Sequence, residues 1–311
     1  MIEALWNWHE QPKLVAFVQT NAGRVLLWLL SVCLLYHHDA PVPAILAASL
    51  VMVLPGRKRT MLAIASLAVI VKGFVPESEP QWLMILVKSI VVLLCLYVVY
   101  LFLQNLRRFP GFVREHPIVW LHVGIWSALG LSLVPAFGVL TQIPFLAWRL
   151  GYMIKFASRG LMAKTRFRDH LMYLMPAWGG QAAPMGKGLD YLSRFEAVEP
   201  EAMARSQLAG IKLLILSLIW AAAYQWLSTE FLNTSRGIPS LFSALGSDTS
   251  HPWYLSWAII YVELVRVVLC VCITSHMYVG AIRLFGFNVF RNTYKPLLSE
   301  SIVDFWGRYY F

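Results

Sequence analysis

Residues 82–103 read WLMILVKSIVVLLCLYVVYLFL, an apolar run with one charged residue, Lys88. About 20 such residues in a helix cross a hydrocarbon core about 30 Å thick. The whole chain of 311 residues is similar in character, being 59% hydrophobic and 14% charged with a mean hydropathy of +0.62. Soluble domains are about 25% charged. The sequence therefore predicts an all-α, polytopic transmembrane protein, with residues 1–311 forming a single integral membrane domain.

Apolar stretches predict about eight crossings of the membrane. They cover residues 14–36, 42–55, 60–75, 82–103, 118–134, 138–158, 208–228 and 253–280. The second and third are short, which predicts tilted or partly re-entrant packing. Basic residues occur in every second loop, beginning with Arg57, Lys58 and Arg59, and such loops stay in the cytoplasm. This alternation predicts a cytoplasmic N-terminus and suits a bacterial inner membrane.

Two segments do not fit a simple crossing. Residues 169–207 combine several prolines and glycines with aromatic residues, between basic clusters that should both be cytoplasmic. Irregular backbone at membrane depth is tolerated where it lines a cavity, so we expect residues 171–192 to form a cavity wall. Residues 285–311 alternate Arg or Lys with aromatic residues, which predicts an amphipathic interfacial or re-entrant helix.

Charged and titratable residues within the apolar stretches are candidates for function. Glu263 and Arg266 lie three residues apart, so they can form a structural ion pair or line a polar path. His276 could transfer protons or be a hydrogen-bonded core residue. No spacing of histidines or cysteines predicts a metal site. The chain has 26 basic and 16 acidic residues, and the basic residues cluster in every second loop, as in membrane proteins. We therefore expect membrane lipids as partners and no nucleic acid.

The end of the chain carries a distinctive motif. Residues 292–308 read NTYKPLLSESIVDFWGR. This block resembles a segment of the membrane-bound O-acyltransferase family, in particular of its wax-synthase-like members. A second stretch, from Phe145 through Tyr173 and Pro184 to Phe195, resembles the aromatic helix of that family and the re-entrant element after it. Together the two resemblances cover about half of the chain.

The resemblance implies a ring of tilted helices around a tunnel in which an acyl donor meets a hydroxyl acceptor. The implied reaction transfers an acyl group from acyl-CoA or an acyl carrier protein to a lipid or cell-envelope glycan, without another cofactor. The resemblance also implies site roles for five residues of the two matching stretches. They are Asp304, Trp306, Arg308, Tyr173 and Pro184.

The catalytic histidine of that family usually follows the aromatic block by several tens of residues, which places it beyond Phe311. We therefore expect this chain to be the N-terminal part of a longer acyltransferase-like protein and to be inactive alone. Within the chain, His276 and His170 are weaker candidates for the base. Two other functions stay open. One is a transporter or channel with a polar path lined by Glu263, Arg266, Lys72 and Lys88, and the other is a non-catalytic membrane scaffold.

Overall fold

The computed structural model describes residues 7–72, 82–133, 150–175, 188–231, 252–289, 300, 301 and 304. Their regular structure is helical, and these residues contain no strand beyond one isolated bridge between Glu196 and Phe287. The all-α expectation is confirmed for this part of the chain. Contacts divide it into two compact units, each taken by itself below. The expectation of a single membrane domain stays a prediction.

The α-helices are α1 (Pro12–Gln19), α2 (Asn21–His37), α3 (Val42–Val53), α4 (Lys58–Lys72), α5 (Trp82–Gln104), α6 (Gly111–Glu115), α7 (Pro117–Ser132), α8 (Tyr152–Ser158), α9 (Phe167–Leu171), α10 (Gly188–Arg194), α11 (Pro200–Trp226) and α12 (Trp253–Leu284). Short 3₁₀ turns cover Trp8–Glu10, Pro55–Arg57, Leu106–Arg108, Met162–Lys164 and Met172–Leu174. A π-helical turn, Leu227–Phe231, follows α11.

The first unit lies within residues 1–38, 199–284 and 288–311, and its centre is the antiparallel pair α11 and α12. Small residues at the crossing let the two backbones approach closely, as is typical of helices packed in membranes. A Cβ atom added at Gly210 would lie 2.8 Å from the carbonyl oxygen of Gly280. On one side of this contact Ser206 donates to the carbonyl of Arg283 at 3.0 Å, and on the other Ser217 donates to that of Ile273 at 2.8 Å.

A sharp bend interrupts the first predicted span, residues 14–36. Helices α1 and α2 meet at 94°. Thr20 lies at the bend, where its hydroxyl donates to the carbonyl of Phe17 at 2.7 Å and accepts from the backbone N–H of Gly23 at 3.1 Å. One side chain therefore bonds to the end of α1 and caps the start of α2.

The second unit lies within residues 39–198 and 285–287. Helix α4 is central to it and packs against α3, α5, α9 and the turn Met172–Leu174. Phe285 and Phe287 are fully buried here, and the N–H of Ala197 donates to the carbonyl of Gly286 at 2.9 Å. The start of the predicted interfacial segment 285–311 is therefore a core element, because its aromatic side chains pack within the protein. The rest of that segment, apart from residues 288, 289, 300, 301 and 304, lies outside the described residues.

The prediction of eight spans is not supported. Among the described residues, three helices are long and apolar enough to cross a membrane: Trp82–Gln104, Pro200–Glu230 and Trp253–Leu284. The bent pair α1 and α2 would make a fourth if it forms one span. The second, third and fifth predicted spans are helices of 12, 15 and 16 residues, shorter than the usual crossing of about 20. Most of the sixth, residues 138–158, lies outside the described residues.

Candidate functional site

His170 lies fully buried between two hydroxyl groups in the second unit. Its Nδ1 atom is 2.9 Å from the hydroxyl oxygen of Tyr152, and its Nε2 atom is 2.8 Å from that of Thr165. The single hydroxyl proton of Thr165 is donated to the carbonyl of Met162 at 3.0 Å. Thr165 can therefore only accept from His170, so Nε2 carries the ring proton and Nδ1 accepts from Tyr152.

Aromatic residues enclose this hydrogen-bond chain. The hydroxyl of Tyr100 donates to the backbone carbonyl of Thr165 at 2.9 Å, and the rings of Tyr152 and Tyr173 lie 4.5 Å apart. Gly188 holds the two tyrosines in place. Its N–H donates to the hydroxyl of Tyr173 at 3.1 Å, its φ is +64°, and a Cβ atom there would lie 2.5 Å from the Tyr152 ring. Only glycine fits this backbone without displacing Tyr152.

His170 is poorly suited to act as a general base. Burial lowers its pKa to about 4, and the neighbouring carboxylate of Asp169 offsets this only in part. A general base works best with a pKa near the working pH, and it needs a nitrogen that can reach the substrate. Both ring nitrogens of His170 already have partners. The imidazole therefore positions the hydroxyls of Tyr152 and Thr165.

We expect the stability of the protein to fall between about pH 6.5 and pH 4 because of His170. Histidine in an unfolded chain takes a proton near pH 6.5, whereas His170 in the folded chain takes one at about pH 4. Acid therefore favours the unfolded state, by about 3 kcal/mol once the whole interval is crossed. Thermal unfolding in detergent over this range measures the loss. His170→Gln keeps a donor and an acceptor and should flatten the dependence, and an unchanged slope in that variant would contradict the assignment.

A pocket of about 200 Å³ adjoins the hydrogen-bond chain, because Thr165 lines the pocket while bonded to His170. Its apolar walls are Phe156, Leu161, Met172 and Leu189, and its other polar walls are Arg59, Lys164, Asp190 and Ser193. Three of these, Met172, Leu189 and Asp190, belong to segment 171–192, which the sequence predicts as a cavity wall. The pocket thus combines apolar surface with two cations and a hydroxyl whose position is fixed.

A buried charge network extends from the pocket through Arg59. Arg59 donates to the carboxylate of Glu196 through Nε, at 3.1 and 3.2 Å, and through Nη2, and its Nη1 atom lies 3.6 Å from Asp169. Lys58 is 7% exposed, lies 3.4 Å from Glu196 and donates to the carbonyl of Ala197. Lys58 is the first residue of α4 and faces the protein interior. The cytoplasmic location that the sequence predicts for residues 57–59 stays a prediction.

Two neighbouring cations, Arg59 and Lys58, determine whether the carboxyl of Glu196 is ionised. Burial alone would raise the pKa of its carboxyl, but the hydrogen bond from Arg59 and the charge of Lys58 outweigh burial and hold that pKa below its ordinary value. Burial lowers the pKa of Lys58, and Glu196 opposes this effect. Glu196 is therefore ionised at neutral pH and is the counter-charge that Lys58 needs in a buried position.

The pocket, the hydrogen-bond chain and the charge network all belong to the second unit. No family model, curated protein or solved structure matches this chain. The resemblance to membrane-bound O-acyltransferases therefore remains an expectation, and function has to be argued from the geometry of these residues.

The polar residues predicted within the first unit have internal partners. The Nε atom of Arg266 donates to Glu263 at 2.6 Å, and its Nη1 atom donates to the hydroxyl of Tyr224 at 3.3 Å. His276 is buried, and its Nδ1 atom donates to the carbonyl of Cys272, one helical turn earlier, at 2.6 Å. These contacts are those of a structural ion pair and of a core histidine.

The residues implied by the family resemblance are only partly described. Asp304 accepts from the N–H of Glu300 at 3.0 Å, and its own N–H donates to the hydroxyl of Ser301 at 3.0 Å, which are the bonds of a capped turn. Tyr173 is buried beside Tyr152. Pro184, Trp306 and Arg308 lie outside the described residues, so their predicted roles stay predictions.

Sequence reasoning missed the partners of His170 and of Lys58. Thr165 precedes His170 by five residues, a spacing with no recognised meaning, and Tyr152 lies further away still. Glu196 follows a stretch of mixed composition and is not distinguished by any motif. Of these residues, only Tyr152 could have been singled out from the sequence, because it lies in the stretch that resembles the aromatic helix of the family. The described residues contain no group of three or more metal-ligating side chains.

Proposed function

We propose that this chain is an O-acyltransferase-like protein of the membrane, in which an acyl thioester and a hydroxyl acceptor meet. The donor would be acyl-CoA or an acyl carrier protein, and the acceptor a hydroxyl of a lipid or a cell-envelope glycan. The observation that carries the proposal is the pocket at which Thr165, fixed by His170, lies among apolar walls and cations. Ligand pockets typically combine such apolar surface with a few fixed polar groups.

The reaction needs a base that the described residues do not provide at the pocket. The base takes the proton of the acceptor hydroxyl, the oxygen attacks the thioester carbonyl, and the thiolate leaves. His170 has a pKa of about 4 and no vacant ring nitrogen, and His276 is bonded to its own helix. We therefore assign His170 to positioning, and neither His170 nor His276 to the role of base.

The orientation of the chain is also part of this proposal. Arg59 and Lys164 line the pocket, and both belong to the basic clusters that the sequence predicts to be cytoplasmic. The pocket would then open towards the cytoplasm of a bacterial cell, where acyl thioesters are made, with the N-terminus on the same side.

Acyl transfer by the product of the whole reading frame, expressed beside residues 1–311, tests the proposal. Both proteins are reconstituted in liposomes with a radiolabelled long-chain acyl-CoA, and labelled esters in the lipid and glycan fractions are counted. We expect transfer by a product that supplies the base, with a loss of at least about 100-fold when the side chain that acts as the base is replaced by alanine. Residues 1–311 alone should bind the donor without turnover.

Absence of both donor binding and ester formation in either protein would remove the proposal and favour a scaffold. Gly124→Ala, on a helix surface with no neighbour within 4 Å, serves as the folded control. A transport path through the first unit is less favoured, because Arg266 and Glu263 bind each other and Tyr224.

A further inference from the structure

The charges around the pocket do not balance. The charged side chains that line the pocket are two cations, Arg59 and Lys164, and one carboxylate, Asp190, a net charge of +1. A cleft that carries an excess of one sign concentrates ligands of the opposite sign. The pocket therefore favours an anion.

Lys164 is the cation that is available to such a ligand. Its side chain is exposed at the end of the turn Met162–Lys164, and no carboxylate of the described residues pairs with it. Arg59 supplies a second positive charge, although its guanidinium is shared with Glu196 and Asp169. Asp190 opposes an anion, and Arg194 forms an exposed ion pair with its carboxylate at 2.9 Å.

The apolar walls narrow the class of anion. Phe156 and Met172 are buried side chains, and together with Leu161 and Leu189 they form a surface that a small inorganic ion would leave unused. A ligand with a charged head and a hydrocarbon chain would satisfy both kinds of wall. Basic pockets among membrane helices bind lipid head groups on the cytoplasmic side in this manner.

We infer that the pocket binds the phosphate head group of an anionic membrane lipid. The phosphate lies against Lys164 within the field of Arg59, and the start of the acyl chain lies along the apolar walls. The volume of about 200 Å³ holds a head group and the beginning of a chain, with the remainder of the chain in the bilayer. This site goes beyond acyl transfer and exists whether or not the protein is a transferase.

Binding of lauroyl lysophosphatidic acid to the purified chain in a neutral detergent tests the inference. Monolauroylglycerol has the same chain without the phosphate, and inorganic phosphate lacks the chain. Isothermal titration calorimetry gives the affinities. We expect the phosphate lipid to bind at least about tenfold more tightly than monolauroylglycerol. Equal affinities, or displacement of the lipid by inorganic phosphate at a similar concentration, would overturn the lipid assignment.

Three exposed or half-buried positions locate the binding site. Lys164→Ala should weaken binding of the phosphate lipid about fivefold, the effect of one cation near a phosphate. Asp190→Asn should tighten it, because the substitution removes the opposing carboxylate and releases Arg194. Lys155→Ala removes an equal charge from an exposed residue of α8 that does not line the pocket, and should leave affinity unchanged. Equal effects of Lys164→Ala and Lys155→Ala would contradict the site, whatever the outcome of the acyl-transfer assay.

Discussion

Gly210→Leu should strongly destabilise the first unit. A Cβ atom at residue 210 would lie 2.8 Å from the carbonyl oxygen of Gly280 and 3.0 Å from the backbone nitrogen of Leu284. These are backbone atoms, so relief requires α11 and α12 to move apart. The bonds from Ser206 and Ser217 would then lengthen on both sides of the contact. Overpacking alone costs about 1–3 kcal/mol, and the lost bonds raise the expected destabilisation to about 3–5 kcal/mol.

Size-exclusion chromatography and thermal unfolding in detergent measure this effect. Gly124→Leu on α7 is the matched control, because no atom lies within 4 Å of an added Cβ there. Gly280→Ala should have an intermediate effect, since its nearest neighbour at 3.0 Å belongs to the flexible side chain of Leu214. A Gly210→Leu protein that unfolds at the temperature of the Gly124→Leu protein would show that the close helix contact is not needed.

The hydropathy of a short stretch predicts the long helices but not where a bend interrupts one of them. The apolar run at α5 is long enough to cross a membrane by itself, and the structure has that helix. Residues 14–36 are also mostly apolar, yet Thr20 bonds to both Phe17 and Gly23 at a bend of 94°. Hydropathy averages over a window and does not register a single hydroxyl, so the bend could not be predicted from composition.

Most of the candidate site depends on contacts between residues that are distant in the sequence. His170 was a candidate from its chemistry and Tyr173 from the family resemblance, but neither predicts that Tyr152 and Thr165 occupy both ring nitrogens. Residues 57–59 show the reason clearly. The rule that assigns basic residues to cytoplasmic loops treats the three adjacent cations alike. Successive side chains of a helix, however, point in different directions. Only Lys58 becomes buried, and its partner lies beyond residue 190.

Glu196→Ala should be strongly destabilising, because it leaves the buried Lys58 without its carboxylate. Lys58 is 7% exposed, and its ammonium group would keep the carbonyl of Ala197 and the ring of Phe287, 5.4 Å away, but no carboxylate that the structure describes. Arg59 would also lose its hydrogen bonds to the carboxylate of Glu196 and would keep the longer contact with Asp169. Removing one member of a buried ion pair costs about 3–5 kcal/mol. Thermal unfolding in detergent at neutral pH measures the loss, and Glu201→Ala, which breaks an exposed pair with Arg205, should cost less than about 1 kcal/mol.

A double substitution separates the buried charge from the lost packing. Lys58→Met with Glu196→Gln removes both charges and should recover much of the stability lost in Glu196→Ala, because no uncompensated ammonium group stays buried. The pH dependence gives an independent check. The folded pKa of Glu196 lies below its ordinary value, so its stabilisation is present above about pH 4.5 and disappears as the pH falls through the folded pKa. The double variant should lack this acid-sensitive part, and a double variant as unstable as Glu196→Ala would place the cost in packing and not in charge.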